Sequence, residues 1–272
     1  MIHCEVCPHN CSLSENTTGI CGVRTELNGK SIPLNYGRAT AVNLDPIEKK
    51  PLYHFYPGSK ILSYGSYGCN MKCSFCQNHD ISMVRKSIGS KITPEDLAQK
   101  AISLKAYGNI GIAYTYNEPS ICPEFIVDTG KLIRDAGMIN VVVTNGYMTE
   151  KTLDSILEVS DAFNIDLKAF TEEFYKKMGG GLELVKNTIK TASKSAHVEV
   201  TTLIIPDEND SEEEMINLSS WLSSVSRDIP IHLSRFFPTF NMLNKNPTPK
   251  DKLLKLKSVA EKHLKYVYLG NV

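Results

Sequence analysis

The chain has 272 residues, with 30 basic and 30 acidic side chains and a formal net charge of zero. This balance gives no overall electrostatic reason to expect binding to nucleic acid or to an anionic membrane. No run of about 18 apolar residues could span a bilayer, and no signal-peptide stretch opens the chain. We therefore expect a cytoplasmic protein with one large α/β domain and a small appendage.

The cysteines are strongly clustered. Seven of the eight lie at positions 4–21 and 69–76, and Cys122 stands alone. In a chain without a secretion signal, clustered cysteines favour metal binding over disulfides. The sequence therefore predicts two metal sites in a reducing compartment.

The N-terminal segment contains the first of these clusters, formed by Cys4, Cys7, Cys11 and Cys21. We expect residues 1–55 to form a small metal-stapled extension, because so short a segment buries little apolar surface of its own. Four cysteines can close a tetrahedral zinc site or hold an auxiliary iron–sulfur cluster. The complete ligand set favours zinc or another structural metal, and His3 or His9 could replace one thiolate.

Residues 56–272 alternate between β-branched runs and helical patterns. The predicted strands are 61–64, 110–115, 139–144, 162–166, 198–205 and 231–233, and the predicted helices are 93–107, 121–136, 149–158, 182–195, 211–225 and 249–263. Such alternation predicts a parallel sheet with helices outside it. About six β–α units are too few for an eight-fold barrel, so we expect an open, partial β/α barrel with its ligands at the C-terminal strand ends.

The loop after the first of these strands reads Cys69-Asn70-Met71-Lys72-Cys73-Ser74-Phe75-Cys76. Three close thiolates suit iron–sulfur or zinc chemistry, because both metals favour soft sulfur ligands. A cubane cluster held by three thiolates leaves one iron open to a small molecule, whereas a structural site is normally closed by a fourth ligand. The alternative is a zinc knuckle with His79 as that ligand.

Polar residues follow the next three strands at the same predicted edge of the sheet. They are Glu118 in Tyr-Asn-Glu-Pro, Asn145 in Thr-Asn-Gly, and Asp166 and Lys168 in Asp-Leu-Lys. Strand alternation places Asp166 and Lys168 on one side. A carboxylate at a strand end can accept hydrogen bonds from an ammonium group. In the sixth strand, His232 shares a face with Ser234 and is a weaker candidate for a ligand contact.

The cysteine loop, with Phe75 before its last cysteine, resembles the cluster loop of the radical S-adenosylmethionine (SAM) enzymes. Further strings resemble the radical SAM member of the AmmeMemoRadiSam system, which is related to pyruvate formate-lyase activating enzymes. These strings are Cys7–His9, Cys21–Arg24, Lys50–Phe55, Asn164–Phe170 and His232–Pro238.

The resemblance implies a [4Fe–4S] cluster on Cys69, Cys73 and Cys76 that cleaves SAM reductively to a 5′-deoxyadenosyl radical. Glu118 would hold the SAM amine. Asn145, Asp166 and Lys168 would contact its carboxylate or ribose. Flavodoxin or ferredoxin would supply the electron, and the hydrogen donor would be a protein or a small molecule.

Two departures from the family pattern stand out. Tyr116 and Asn117 replace the glycines that usually precede the glutamate. Val143 replaces an aspartate that in related enzymes helps to hold a monovalent cation, so we expect no such cation here. The alternative from a different functional class is a non-catalytic scaffold in which both cysteine clusters bind structural zinc.

Overall fold

The computed structural model describes residues 1–272. Its strands are β1 (Ile2–His3), β2 (Ser12–Leu13), β3 (Arg24–Leu27), β4 (Lys30–Pro33), β5 (Arg38–Ala39), β6 (Ala41–Pro46), β7 (Lys60–Gly65), β8 (Ser90–Lys91), β9 (Asn109–Thr115), β10 (Ile139–Thr144), β11 (Ala162–Asp166), β12 (His197–Ile204), β13 (Ile231–Arg235) and β14 (Val267–Gly270). The helices are α1 (His79–Ser82), α2 (Pro94–Ser103), α3 (Pro123–Asp135), α4 (Glu150–Leu157), α5 (Glu172–Lys177), α6 (Leu182–Ala192), α7 (Glu212–Val225) and α8 (Lys250–Ala260). No helix is long and apolar enough to cross a membrane.

Eight strands form the central sheet, in the order β14-β13-β12-β11-β10-β9-β7-β6. Neighbours from β7 to β14 are parallel, and β6 pairs antiparallel with β7. The two edge strands do not pair with each other, so the barrel is open. The predicted partial β/α fold is confirmed. Strand β6 lies within the segment 1–55 that was expected to be a separate extension, so this part of the segment belongs to the barrel wall.

Local sequence signals account for the helix starts. Thr93 caps α2 by accepting the backbone N–H of Asp96, whose side chain reaches back in a capping box, and Pro94 occupies the first helical position. The helix ends at Ser103 rather than at the predicted 107, because residues 105–107 tighten into a 3₁₀ turn before Gly108. The short helix α5 was not predicted.

Apolar side chains leave the sheet on both faces. The larger core lies between the sheet and the helices. A smaller core fills the lower interior of the barrel, where Ile47 and Leu52 pack against Ile61, Ala113 and Val141. The segment after β6 therefore closes the N-terminal end of the barrel and leaves the C-terminal strand ends open for a site.

Candidate functional site

A cavity of about 400 Å³ opens at the C-terminal ends of the parallel strands. Its wall includes three loop cysteines and four polar residues from the strand ends, namely Cys69, Cys73, Cys76, Glu118, Asn145, Asp166 and Lys168. This volume falls within the range of pockets that enclose ligands of a few hundred daltons. The structure thus brings the residues of four separate strand ends around one space.

The cysteine loop is held in place by Asn117. Its amide nitrogen donates to the carbonyls of Tyr67 and Gly68, both at 3.2 Å, and its amide oxygen accepts the N–H of Ser66 at 2.9 Å. Asn117 stands where the family pattern has a glycine. Its amide in fact satisfies three backbone groups of the segment that leads into Cys69.

Tyr116 fills the other glycine position with an unusual backbone. Its φ is +71°, in the left-handed region that normally favours glycine. Its hydroxyl donates to Asp45 at 2.8 Å, and its ring covers Gly65, where an added Cβ would lie 2.6 Å from the ring. The backbone conformation available to glycine is thus kept, and the side chain is anchored to β6.

His79 is not arranged as a fourth ligand. Its Nδ1 lies 3.2 Å from the carbonyl of Cys76, its Nε2 lies 3.2 Å from Asp80, and its ring stacks on Phe240. No three His, Cys, Asp or Glu side chains in the chain converge on a position for a single metal ion. Three thiols on one short loop without a fourth protein ligand fit a [4Fe–4S] cluster with one open corner.

The environment of the loop thiols disfavours free thiolates. Burial raises the pKa of Cys69, and the nearby charge of Glu118 adds to the effect. Burial raises the pKa of Cys73 to about 11, while Lys168 acts in the opposite direction. Ligation requires thiolates, so cluster binding at this loop would release protons.

Glu118 is buried and joins the ends of two strands. Its carboxylate accepts the Thr144 hydroxyl at 2.6 Å, the Asn145 N–H at 2.8 Å and the Ser120 N–H at 3.0 Å. Burial raises its pKa although these hydrogen bonds favour the ionised form. A carboxylate has about four lone-pair sites, so Glu118 both caps the turn at Pro119 and retains capacity for a ligand.

Asn145 links the cavity to the cysteine loop. Its amide nitrogen donates to the side-chain oxygen of Asn70 at 2.9 Å and lies 3.7 Å from the sulfur of Cys69. Asn70 is fully buried and also donates to the carbonyl of Tyr147 at 2.6 Å. On its other side, His9 bonds to the Asn70 carbonyl at 2.7 Å. The N-terminal segment therefore reaches Cys69 through a short chain of hydrogen bonds.

Asp166 and Lys168 form an ion pair of 2.7 Å in the cavity wall. Burial acts to lower the pKa of Lys168, but the charges of Asp166 and Cys73 raise it by more. The pair offers both an acceptor and a donor at the end of β11. Such a pair can bind hydroxyl groups or a carboxylate.

His232, the predicted cofactor contact in β13, lies beside the cavity rather than on its surface. The residue is not part of the cavity wall; its Nε2 bonds to Glu199 at 2.6 Å, and the Tyr53 ring packs against it. Ser234, on the same face two residues later, does line the cavity. His232 therefore lies one step deeper in the barrel, where Tyr53 covers it.

The N-terminal cysteines are arranged differently from those of the loop. Cys4, Cys7 and Cys21 are buried, Cys11 is partly exposed, and none lines the cavity. Burial raises the pKa of Cys21, while the backbone N–H groups of Val23 and Arg24 act in the opposite direction. Burial also raises the pKa of Cys7, and the nearby thiols of Cys21 and Cys4 add to the effect, so the N-terminal thiols lie close to one another. His9 contacts Asn70 rather than completing a ligand set.

Comparison with known proteins defines the class. The model of the radical SAM superfamily matches residues 63–219. An uncharacterized protein of Methanocaldococcus jannaschii is 39% identical over 100% of this chain and 81% of its own length. The pyruvate formate-lyase 1-activating enzyme of Escherichia coli is 25% identical over 61% of this chain and 69% of that enzyme.

A solved structure shares the fold. A radical SAM methyltransferase from Sphaerobacter thermophilus superposes with a TM-score of 0.62 at 14% identity, covering 79% of this chain and 67% of that one. The family model, which matches more than half of the chain, establishes that the chain belongs to the radical SAM superfamily, a family of enzymes that bind SAM and an iron–sulfur cluster.

Proposed function

We propose that this chain binds a [4Fe–4S] cluster through Cys69, Cys73 and Cys76 and cleaves SAM beside it. The observation that supports this most directly is that these thiols share one cavity with the polar strand ends. Once bound, the cluster and SAM supply a 5′-deoxyadenosyl radical that abstracts hydrogen from a substrate. The protein contributes orientation and the exclusion of water.

The roles of the side chains follow from their chemistry. Glu118 accepts hydrogen bonds from the ammonium group of SAM, because its carboxylate is the buried one in the cavity wall. Asp166 and Lys168 bind the ribose hydroxyls or the carboxylate. Asn145 positions Cys69 through its hydrogen bond to Asn70. At the carboxyl end of β10, Asn145 also contacts SAM.

The substrate class stays open between two possibilities. Similarity to a pyruvate formate-lyase activating enzyme supports hydrogen abstraction from another protein. A half-enclosed cavity is also compatible with a small molecule.

We assign the chain to the radical SAM member of the AmmeMemoRadiSam system because the sequence segments named above resemble that protein. We also propose a cytoplasmic location, and flavodoxin or ferredoxin as electron donor.

The N-terminal cysteines form a second predicted metal site that is separate from the chemistry. Cys4, Cys7, Cys11 and Cys21 remain candidate ligands for zinc or an auxiliary cluster. Four thiols make a complete ligand set for a structural metal, which favours zinc over an auxiliary cluster. No catalytic role is assigned to this site.

Alanine substitution of single cysteines tests the proposal. Anaerobically reconstituted Cys69→Ala, Cys73→Ala and Cys76→Ala should form no 5′-deoxyadenosine from SAM with dithionite as reductant. Cys122→Ala is the matched control, because Cys122 is buried outside the cavity wall and should retain activity. Near-native 5′-deoxyadenosine formation by any of the three loop variants would refute the cluster assignment.

A further inference from the structure

One ammonium group in the cavity wall has hydrogen-bonding capacity that the protein does not use. Lys50 lines the cavity, and its side chain is only 3% exposed. Its Nζ carries three N–H groups, yet it donates one hydrogen bond, to Asp45 at 2.9 Å. The Tyr116 ring lies 4.9 Å from Nζ. Buried donors without acceptors are costly, so a ligand with acceptor oxygens would satisfy them.

Lys50 lies at the floor of the cavity, opposite the cysteine loop. The carbonyl of the next residue, Pro51, accepts the side chain of Asn164 at 2.9 Å. Asn164 precedes Asp166 by two residues on the same face of β11, which places it one step deeper in the barrel. The cysteine loop, in contrast, lies above the strand ends. A ligand between floor and loop would therefore have Lys50 at its far end.

Asp45, the partner of Lys50, also accepts hydrogen bonds from other side chains. Asp45 also accepts the hydroxyl of Ser63 and that of Tyr116, each at 2.8 Å, and Lys49 at 3.2 Å. One carboxylate is thus shared by two ammonium groups. By comparison, Lys168 has Asp166 to itself within the cavity wall. Asp45 therefore does not saturate the buried Lys50 ammonium, which keeps two N–H groups for a ligand.

We propose that Lys50 binds an anionic oxygen group, a carboxylate or phosphate, of the substrate. The assignment rests on the proposed function in one respect, namely that the upper part of the cavity holds SAM. Lys50 then anchors the remote end of the substrate, and the hydrogen to be removed lies between this anchor and the cysteine loop. A side chain held by Asp45 and Tyr116 loses little further freedom on binding.

Titration calorimetry with acetate and with inorganic phosphate tests the assignment on anaerobically reconstituted protein. Lys50→Met should weaken binding of the preferred probe by about tenfold or more, the effect of losing a charged hydrogen bond. Because that variant leaves Asp45 without its buried partner, Asp45→Asn/Lys50→Met provides a second, charge-neutral test. Lys49→Met is the matched control: its side chain is 66% exposed and contacts the same carboxylate, so binding should change by less than about threefold.

The results separate the sources of the anion. A preference for acetate identifies a carboxylate substrate, and a preference for phosphate identifies a phosphorylated one. SAM affinity is measured on the same samples. Weaker SAM binding with unchanged probe binding in the Lys50 variants would assign the ammonium to SAM and overturn the proposal. Undetectable probe binding by the wild type, or equal losses in the Lys49 and Lys50 variants, would also overturn it.

Failure of the proposed function is distinguishable from failure of this inference. Iron content and 5′-deoxyadenosine formation report on the cysteine loop, whereas probe binding does not depend on either. A preparation that forms no 5′-deoxyadenosine but loses probe binding only in the Lys50 variants would refute the proposed enzyme and leave the anion site intact.

Discussion

The two cysteine clusters differ in what surrounds them more than in their spacing. The loop thiols Cys69, Cys73 and Cys76 border a cavity shared with polar strand ends. Three of the four N-terminal thiols are buried, and none of the four reaches that cavity. A site that is to react needs room for a ligand beside the metal, whereas a structural site does not. The two clusters therefore differ in their access to a cavity, which suits the loop thiols to the proposed reactive centre.

The segments that carry the two clusters are nevertheless in contact. Gly68 packs against the chain at Cys21 and Val23, and His9 bonds to Asn70 between the first two loop cysteines. The N-terminal segment thus supports the loop from behind. We expect changes in this contact to alter the stability of the loop without removing its ligands.

The largest expected effect comes from removing each cysteine set in turn. Replacing Cys69, Cys73 and Cys76 together by alanine should remove the iron of the loop and all 5′-deoxyadenosine formation, because no other ligands are available there. Replacing the four N-terminal cysteines by serine should remove only the metal of that segment. Metal analysis of anaerobic protein checks both outcomes. Loss of loop iron from the N-terminal variant would show that the two sets form one site.

Packing between the two regions can be broken at Gly68. Its φ is +87°, and an added Cβ would lie 2.6 Å from a methyl group of Val23 and 2.8 Å from the carbonyl of Cys21. Gly68→Ala should destabilise the protein by about 2–5 kcal/mol, from overpacking and backbone strain together. Gly58→Ala is the control, since Gly58 has φ +81° but nothing within 4 Å. Urea unfolding measures both, and equal losses would contradict close packing at Gly68.

A smaller effect is expected at the His9 hydrogen bond. His9→Ala leaves the carbonyl of the buried Asn70 without this partner and should cost about 1–3 kcal/mol in the free energy of unfolding. His3→Ala provides the comparison within the same segment, because the contact of His3 with Asn10 is long, at 3.4 Å, and exposed. Similar denaturant midpoints for the two variants would argue against support of the loop by His9.

The smallest predicted effect is a pH dependence of SAM affinity. Burial raises the pKa of Glu118, so its carboxylate takes up a proton at a higher pH than an ordinary glutamate. In its proposed role the ionised carboxylate accepts hydrogen bonds from the SAM ammonium, so affinity should be full above the raised pKa and fall as the pH is lowered through it. Equilibrium binding across pH checks this. Glu118→Gln should bind more weakly and lose this component of the profile; an unchanged profile would assign it to another group.

Much of the barrel could be read from local patterns. The alternation of β-branched runs with helical stretches located the strands 139–144 and 162–166 at their observed bounds. Capping residues such as Thr93 marked helix starts. Parallel strands end at one edge, so the polar residues after them could be expected to meet. Edge strand β6 was missed because it lies in a segment without β–α alternation.

Several residues of the site carried no local signal. Lys50 follows a short turn and could not be placed beneath the cavity without knowing how β6 pairs. Asn70 lies inside the cysteine motif, yet its importance comes from contacts with His9 and Asn145, both distant in sequence. Strand alternation placed His232 on the face of Ser234, but it could not show that the Tyr53 ring packs against His232.

By itself, the amino-acid sequence determined the β/α alternation, the open edge at which polar residues gather and the three-thiol loop, because periodicity, caps and motif spacing act over a few residues. Only the tertiary structure decided that β6 completes the wall, that Lys50 lies at the floor and that Asn70 joins the N-terminal segment to Cys69. These contacts depend on packing between segments far apart in the chain, which local patterns do not specify.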